Sequence, residues 1–375
     1  MDKIKLVYIV SEIGKALAFE WITEELNADK FDLSFILINP INDSLHDFLI
    51  AHKVPVLVLY AKSKKDWPGA IMKIYRELKY RKADIVHCHL KDATTLGLIA
   101  AKMAGIPARI YTRHHSSLHH IYFPKGVWFD KLNNKLATHI ISISGLVKKI
   151  LIEWEGAPEN KITLVPHGFR LEDFERRDEQ KISALKEKYN PTGKAPVVGV
   201  ISRFVEWKGV QYVVPAFKKL LQKYPDALLL LFNAHGDYEH VINEQLKELP
   251  QESYKAVRFE PEISSVYKML DIFIHAPIRD HDEAFGQIYV EALAAGVPSV
   301  FTLSGIAPDF IEDKKNAVVV PFMNADAVYE AMNVLLSDKE LSAAVARGGK
   351  ESVQGAFSLN RMMKNLEQLY VQSVH

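Results

Sequence analysis

The chain has 375 residues, 48% of them apolar, and a formal net charge of +1; at ~100–200 residues per domain that suits two α/β domains with cores of their own. Its one cysteine, Cys88, excludes internal disulfide staples and thiolate metal sites. The opening Met1-Asp-Lys-Ile-Lys-Leu-Val-Tyr-Ile-Val10 is too short an apolar run for a signal peptide, and no later stretch approaches the ~18 apolar residues of a membrane span, so a cytosolic protein is expected.

Strand-like apolar runs alternate with amphipathic helical runs from end to end, the pattern of helices covering parallel sheets. The first half reads as strands at Leu6–Val10, Leu33–Ile38, Val56–Leu59, Ile85–His87, Ala108–Tyr111, His139–Ser142 and Ile162–Val165. Arg170–Lys194 is charged, ends in Asn190-Pro-Thr-Gly193 and reads as an interdomain connection carrying one helix. The second half reads as strands at Val197–Ile201, Ala227–Phe232, Ala256–Phe259, Ile272–His275, Ser299–Thr302 and Ala317–Val320, then helices at Ala325–Leu336, Lys339–Gln354 and Leu359–Val371. The expected domains are 1–170 and 171–358, both Rossmann-like and doubly wound, with a cleft between facing strand ends.

Charge is uneven along the chain. Residues 1–170 carry 24 Lys and Arg against 17 Asp and Glu, while residues 171–375 carry 23 against 29. A basic front half suits an anionic partner, and ordinary surface variation explains it equally well. The basic helix expected at Trp67–Tyr80, with Lys64, Lys65, Lys73, Arg76, Lys79, Arg81 and Lys82 around it, either lies on an anionic membrane surface or packs on the sheet with a solvated lysine face.

The most informative stretch is Asp282-Glu-Ala-Phe-Gly-Gln-Ile-Tyr-Val-Glu-Ala-Leu-Ala-Ala-Gly-Val-Pro298. Its apolar stripe predicts a helix from Phe285 to Ala295, with Glu283 just before the helix and Glu291 two turns inside it. At ~1.5 Å rise per residue the two glutamates span about 12 Å, comparable with the distance from the ribose to the sugar in a nucleotide-sugar. The amides of Phe285 and Gly286 would point at a phosphate, where the helix dipole favours negative charge. Upstream, Arg203 and Lys208 leave the end of one strand together and offer a planar fork and a point charge to phosphate oxygens. His87, His89, His114 and His115 sit at two strand ends of the first half; without a HExxH helix or another ligand frame they are not read as a metal site. Asp280-His-Asp282 resembles a divalent-ion motif but is read as a loop near a sugar.

The Glu283-to-Glu291 spacing, with Phe-Gly after the first Glu and Glu-Ala-Leu-Ala-x-Gly-x-Pro around the second, resembles the E-x7-E signature of the group 1 (family 4) retaining glycosyltransferases, which have the GT-B fold. That resemblance covers nearly the whole chain and is strongest over Val197–Val320. It implies transfer of a sugar from a nucleotide diphosphate donor, UDP first on family frequency, to an acceptor hydroxyl with the anomeric configuration kept and no metal or other cofactor. Arg203, Lys208 and the Phe285–Gly286 amides would stabilise the departing diphosphate. Glu291 would hold the ribose hydroxyls, and Glu283 and His114 would position the sugar. Gly14, Ala284 and Gln287 would complete the donor site, and His87, His89, His115 and Asp282 would contact sugar or acceptor. The last helix, about 359–375, would return to the first domain.

Two loops depart from the family pattern. Ser11-Glu-Ile-Gly14-Lys15 has one glycine where many members have a pair, and Asn233-Ala-His-Gly236 replaces Gly-x-Gly. A nucleotide-sugar epimerase or hydrolase and a non-catalytic sugar-nucleotide-binding subunit remain alternative readings. A dehydrogenase lacks its Gly-x-Gly-x-x-Gly. The expected partners are a nucleotide-sugar and a glycan or lipid-linked acceptor, met at the cytoplasmic membrane face, with no nucleic acid.

Overall fold

The computed structural model describes residues 2–374. Residues up to Phe169 together with those from Leu359 form one compact unit, and Arg170–Ser358 form the other.

The first unit is built on seven strands: β1 (Ile4–Ser11), β2 (Phe31–Ile38), β3 (Val56–Leu59), β4 (Ile85–His89), β5 (Ala108–Arg113), β6 (His139–Ser142) and β7 (Ile162–Leu164). They lie in the order β3-β2-β1-β4-β5-β6-β7, all neighbours parallel. Strands such as Leu6–Val10 and Phe35–Ile38 are apolar on both faces and almost fully buried, as parallel strands covered by helices must be. The second unit has six strands: β8 (Val197–Ile201), β9 (Leu228–Phe232), β10 (Tyr254–Val257), β11 (Ile272–His275), β12 (Ser299–Phe301) and β13 (Val318–Val319), in the order β10-β9-β8-β11-β12-β13 and again parallel. Strand order reverses between β1 and β4 in one unit and between β8 and β11 in the other. A doubly wound sheet opens a crevice at the carboxyl ends of such a strand pair.

Local departures from the sequence reading have local causes. The tenth strand was expected at Ala256–Phe259 but occupies Tyr254–Val257, because its partner β9 ends at Phe232, opposite Val257. Phe259 is left 75% exposed. The connection after Arg170 carries two helices, not one, Glu172–Glu175 and Glu179–Tyr189, the second capped by the Asp178 carboxylate on the amide of Lys181. Among the described residues no helix is long and apolar enough to cross a membrane.

The helix Leu359–Val374 buries Met362, Met363, Leu366, Leu369 and Tyr370 within the first unit. The Tyr370 hydroxyl lies 2.5 Å from that of Tyr8 on β1 and 2.7 Å from Nδ1 of His87 on β4, and all three residues are fully buried. Tyr370→Phe keeps the ring but leaves both partners short of a bond inside the core. We expect a loss of about 1–3 kcal/mol in urea unfolding of the first unit; an unchanged midpoint would show that the helix is held by its apolar face alone.

Candidate functional site

In the second unit the carboxyl ends of β8 and β11 carry the charged residues. After β8 the chain runs through Arg203 into a single turn, Glu206–Lys208, and then Gly209, which starts the helix Val210–Lys223. Gly209 has φ of +72°, and a Cβ there would stand 1.7 Å from the Ala276 carbonyl oxygen just past β11. Only glycine lets the two strand ends approach so closely. Arg203 is exposed, and its guanidinium makes no hydrogen bond or ion pair among the described residues.

Lys208 differs from Arg203. Its ammonium is paired with Oε1 of Glu283, and His275 Nε2 lies 3.1 Å from the same oxygen. Burial alone would raise the Glu283 carboxyl, yet Lys208 and then His275 outweigh it and pull it down to about 2. Burial holds His275 below the usual imidazole range, so at neutral pH it donates from Nε2, and its buried Nδ1 has no partner. One oxygen of Glu283 is therefore fixed by two groups, while Oε2 makes no hydrogen bond among the described residues.

A second strap holds the backbone of this loop. The Glu283 amide donates to Ser304 Oγ at 3.1 Å, Ser304 donates to the Asp280 carbonyl at 3.0 Å, and the Ile306 amide donates to the Phe285 carbonyl at 2.9 Å. Gly305, with φ of +64°, lets the two loops meet, since a Cβ there would lie 2.7 Å from the Phe285 oxygen and 2.8 Å from Glu283 Cβ.

The helix begins at Gln287 and ends at Ala294, shorter than the expected Phe285–Ala295. Gly286 sits before it at φ of +83°, which breaks the helical path, so Ala284, Phe285 and Gly286 form a loop. The amides at the helix start are those of the cap Gly286 and of Gln287 onward, and Phe285 lies before them. Glu291 lies about one turn inside, not two. It accepts from Tyr267 at 3.0 Å, and burial, only partly offset by that bond, lifts its carboxyl to about 7.

Asp280 and Asp282 stand in different surroundings. Asp280 is exposed and bonded to His281 at 2.5 Å, whereas the Asp282 side chain is 2% exposed and its Oδ2 is unpartnered. Burial first of all raises the Asp282 carboxyl to about 6.

In the first unit the structure gathers three of the four named histidines. His87 bonds Thr112 Oγ1 at 2.8 Å and Tyr370, and His89 Nδ1 meets His114 Nε2 at 3.0 Å across the β4–β5 pair. His167, which was not among the candidate residues, stacks on His114 with ring centroids 5.6 Å apart. His115 turns away. It joins His119 and Arg113 around Asp130, at 3.4 Å from Oδ1. His115, His119 and Asp130 are the one group of metal-ligand type among the described residues. However, His119 sits at hydrogen-bond distance, 2.7 Å, and Arg113 holds the same carboxylate, so the cluster is an ion-pair network as it stands. Gly14 is not in a left-handed conformation; Glu12 takes that role with φ of +49°, and a Cβ on Gly14 would meet the Asn42 side chain at 2.8 Å.

Burial lowers His87 to about 3 and His167 to about 4, and it holds His89 and His114 well below the usual 6.5, with help from their neighbouring rings. These rings are neutral in the fold while the unfolded chain protonates near pH 6.5, so no stability is lost above that pH. Below it each unfolded histidine binds a proton the native state refuses, at ~1.4 kcal/mol per pH unit per proton. The first unit should therefore lose stability steeply between pH 6.5 and about 4. Urea midpoints that stay flat across that window would contradict the buried, neutral cluster.

Comparison with known proteins follows the same lines. Residues 181–352 match the family model described as glycosyl transferases group 1, and residues 22–173 match that of glycosyltransferase family 4. A capsular polysaccharide biosynthesis glycosyltransferase of Staphylococcus aureus is 26% identical over 338 residues, covering 87% of this chain and 86% of that protein. A UDP-Gal:alpha-D-GlcNAc-diphosphoundecaprenol alpha-1,3-galactosyltransferase of Escherichia coli is 23% identical over 99% of this chain and 96% of its own length. The crystal structure of Anabaena HepE with UDP-glucose superposes with a TM-score of 0.83 at 19% identity, covering 98% of this chain and 99% of that one. On the matched models and the shared fold, the chain belongs to the group 1, family 4 glycosyltransferases of the GT-B fold.

Proposed function

We propose that this glycosyltransferase moves a sugar, with retention, from a UDP-sugar to a hydroxyl of a glycan or lipid-linked acceptor, without a divalent ion. The observation that carries the reading is the Glu283 carboxylate, fixed through Oε1 by Lys208 and His275 and without a bond at Oε2, in the loop after β11, while the exposed Arg203 follows the neighbouring strand β8 at the strand reversal of the second unit. Similar proteins support the substrates: the E. coli relative is named for UDP-galactose and a diphosphoundecaprenol-linked acceptor, and the Anabaena neighbour was crystallised with UDP-glucose.

In this proposal the bond between the anomeric carbon and the diphosphate breaks, and the leaving oxygen keeps the electron pair. Arg203 and the amides at the start of Gln287–Ala294 face the growing charge, an electrostatic role that needs no metal. Lys208 starts paired with Glu283 and shifts toward the phosphate as charge develops. Oε2 of Glu283 orients the sugar, Glu291 accepts from the ribose hydroxyls, and His114 contacts the sugar on the resemblance alone. The acceptor oxygen bonds the anomeric carbon from the face the diphosphate leaves, and its proton passes to a phosphate oxygen. No enzymic nucleophile is required, unlike retaining glycosidases, whose paired carboxyls stand ~5 Å apart. A hydrolase or epimerase would release the sugar instead of passing it on. In this proposal the acceptor is met at the cytoplasmic face of the membrane.

Two outcomes test the roles. Arg203→Ala should reduce transfer from a UDP-sugar roughly ten- to a hundredfold, as expected for losing one charge-assisted bond, with the product anomer unchanged by NMR and the rate unchanged by excess chelator. Parent activity in that variant, an inverted anomer, or loss of activity on chelation would each remove part of the proposal. Glu291→Gln separates binding from folding. An ionised Glu291 burdens the unliganded fold, because its raised carboxyl near 7 means the native state resists ionisation from pH 4.5 upward. At pH 8 the Gln variant should be more stable by about 1–3 kcal/mol yet bind UDP more weakly; lower stability with unchanged UDP affinity would make Glu291 a structural residue.

A further inference from the structure

The first unit carries an outward-facing surface that the donor chemistry does not use. Among the described residues, 14 of the 16 exposed large hydrophobic side chains belong to it. Five of them fall within eleven residues, Leu118, Ile121, Tyr122, Phe123 and Trp128, on a helical hairpin of Leu118–Tyr122 and Gly126–Leu136 joined at Phe123-Pro-Lys125. Phe123 and Trp128 are 60% and 63% exposed, and the whole tip, residues 121–125, is exposed.

The opposite face of the hairpin is built to hold it still. His119 lies 2.7 Å from Asp130, His120 lies 3.3 Å from Glu155, and Arg113 bridges both carboxylates, with Arg113, Asp130 and Glu155 all under 5% exposed at the side chain. Gly126 packs on the His119 ring, where a Cβ would come within 2.7 Å. Anchoring this strong beneath an exposed aromatic tip is not needed for a solvated loop.

Charge beside the tip is positive. Phe129 stacks edge-on with Trp67 at 5.7 Å and takes the Lys64 ammonium over its ring at 5.0 Å, which brings the basic helix Trp67–Arg81 next to the hairpin. That helix buries Ala70, Ile74 and Leu78 inside the unit, so its own apolar face is used. Its Lys73, Arg76 and Lys79 are exposed, as are Lys64, Lys65 and Lys125.

We infer that the hairpin tip, led by Phe123 and Trp128, docks into the interface of an anionic lipid bilayer, with the lysines of the neighbouring helix against the headgroups. Trp128 favours that depth because its ring is apolar and carries a polar N–H, Phe123 adds apolar area to bury, and lysines add attraction to anionic lipid. The inference deepens the reading of a lipid-linked acceptor and rests on it for its biological sense, but its geometry does not depend on the donor site.

The test uses the full chain and vesicles of phosphatidylcholine with and without phosphatidylglycerol. The expected result is flotation with the anionic vesicles at low salt, at least tenfold weaker for Phe123→Ser/Trp128→Ser and also weaker for Lys73→Glu/Arg76→Glu/Lys79→Glu. UDP binding measured on the same variants should stay at the parent level, which shows that they are folded. No flotation of the parent chain, flotation that ignores the Phe123 and Trp128 changes, or a dimer in light scattering that those changes dissolve would overturn the inference. Normal transfer to a soluble acceptor with no flotation defeats the membrane surface and leaves the glycosyltransferase reading intact. Flotation without UDP-sugar turnover does the reverse.

Discussion

The second unit depends on one ion pair, that of Glu283 with Lys208. A carboxylate whose side chain is 12% exposed cannot stay ionised without a partner, and breaking a buried pair by removing one member costs ~3–5 kcal/mol. Lys208 supplies the charge, His275 adds a bond to the same oxygen, and the backbone strap through Ser304 fixes where that oxygen stands. The two cations read together from the sequence are thus unequal. Lys208 is neutralised in the unliganded protein, while Arg203 is exposed and has no partner among the described residues. An arriving diphosphate would meet Arg203 first, and Lys208 would be shared between Glu283 and phosphate only as negative charge grows.

Two glycines make this arrangement possible. Gly209 brings the turn after β8 against the end of β11, and Gly305 brings the loop after β12 against Glu283. Both are left-handed and both face backbone atoms at distances no Cβ tolerates, so the charged groups are set by main-chain contacts rather than by flexible side chains. Arrangements of this kind keep ligand-binding groups in place before the ligand arrives.

Strand existence was legible in the sequence because β-rich apolar runs bounded by turn residues are local signals: β3, β6, β8 and β11 match their expected bounds residue for residue. What the sequence hid was set by partners far along the chain. The end of β10 follows the length of β9, and the start of the Glu291 helix follows the left-handed Gly286 and the Phe285 carbonyl bonded to Ile306. The same holds at the sites. The strand-end positions of His87, His89 and His114 followed from pattern, but Tyr370, 283 residues beyond His87, could be placed only by the fold. His275, at a visible strand end, reads from the sequence as a neighbour of the Asp280–Glu283 loop, but its bond to Glu283 and that of Ser304, which lies past the next strand, were announced by nothing local. His114 and His115, adjacent in sequence, part because His114 faces β4 and His115 follows Asp130.

The central claim is that the nucleotide diphosphate is held in the second unit by the loop after β8 and by the loop and helix from Glu283 to Glu291. Hydrogen–deuterium exchange of the full chain with and without saturating UDP tests it most directly. The account predicts that protection rises in the peptides spanning residues 203–210 and 283–294, with the largest change at the start of the helix Gln287–Ala294. Protection confined to other segments, with these two unchanged at saturation, would contradict it.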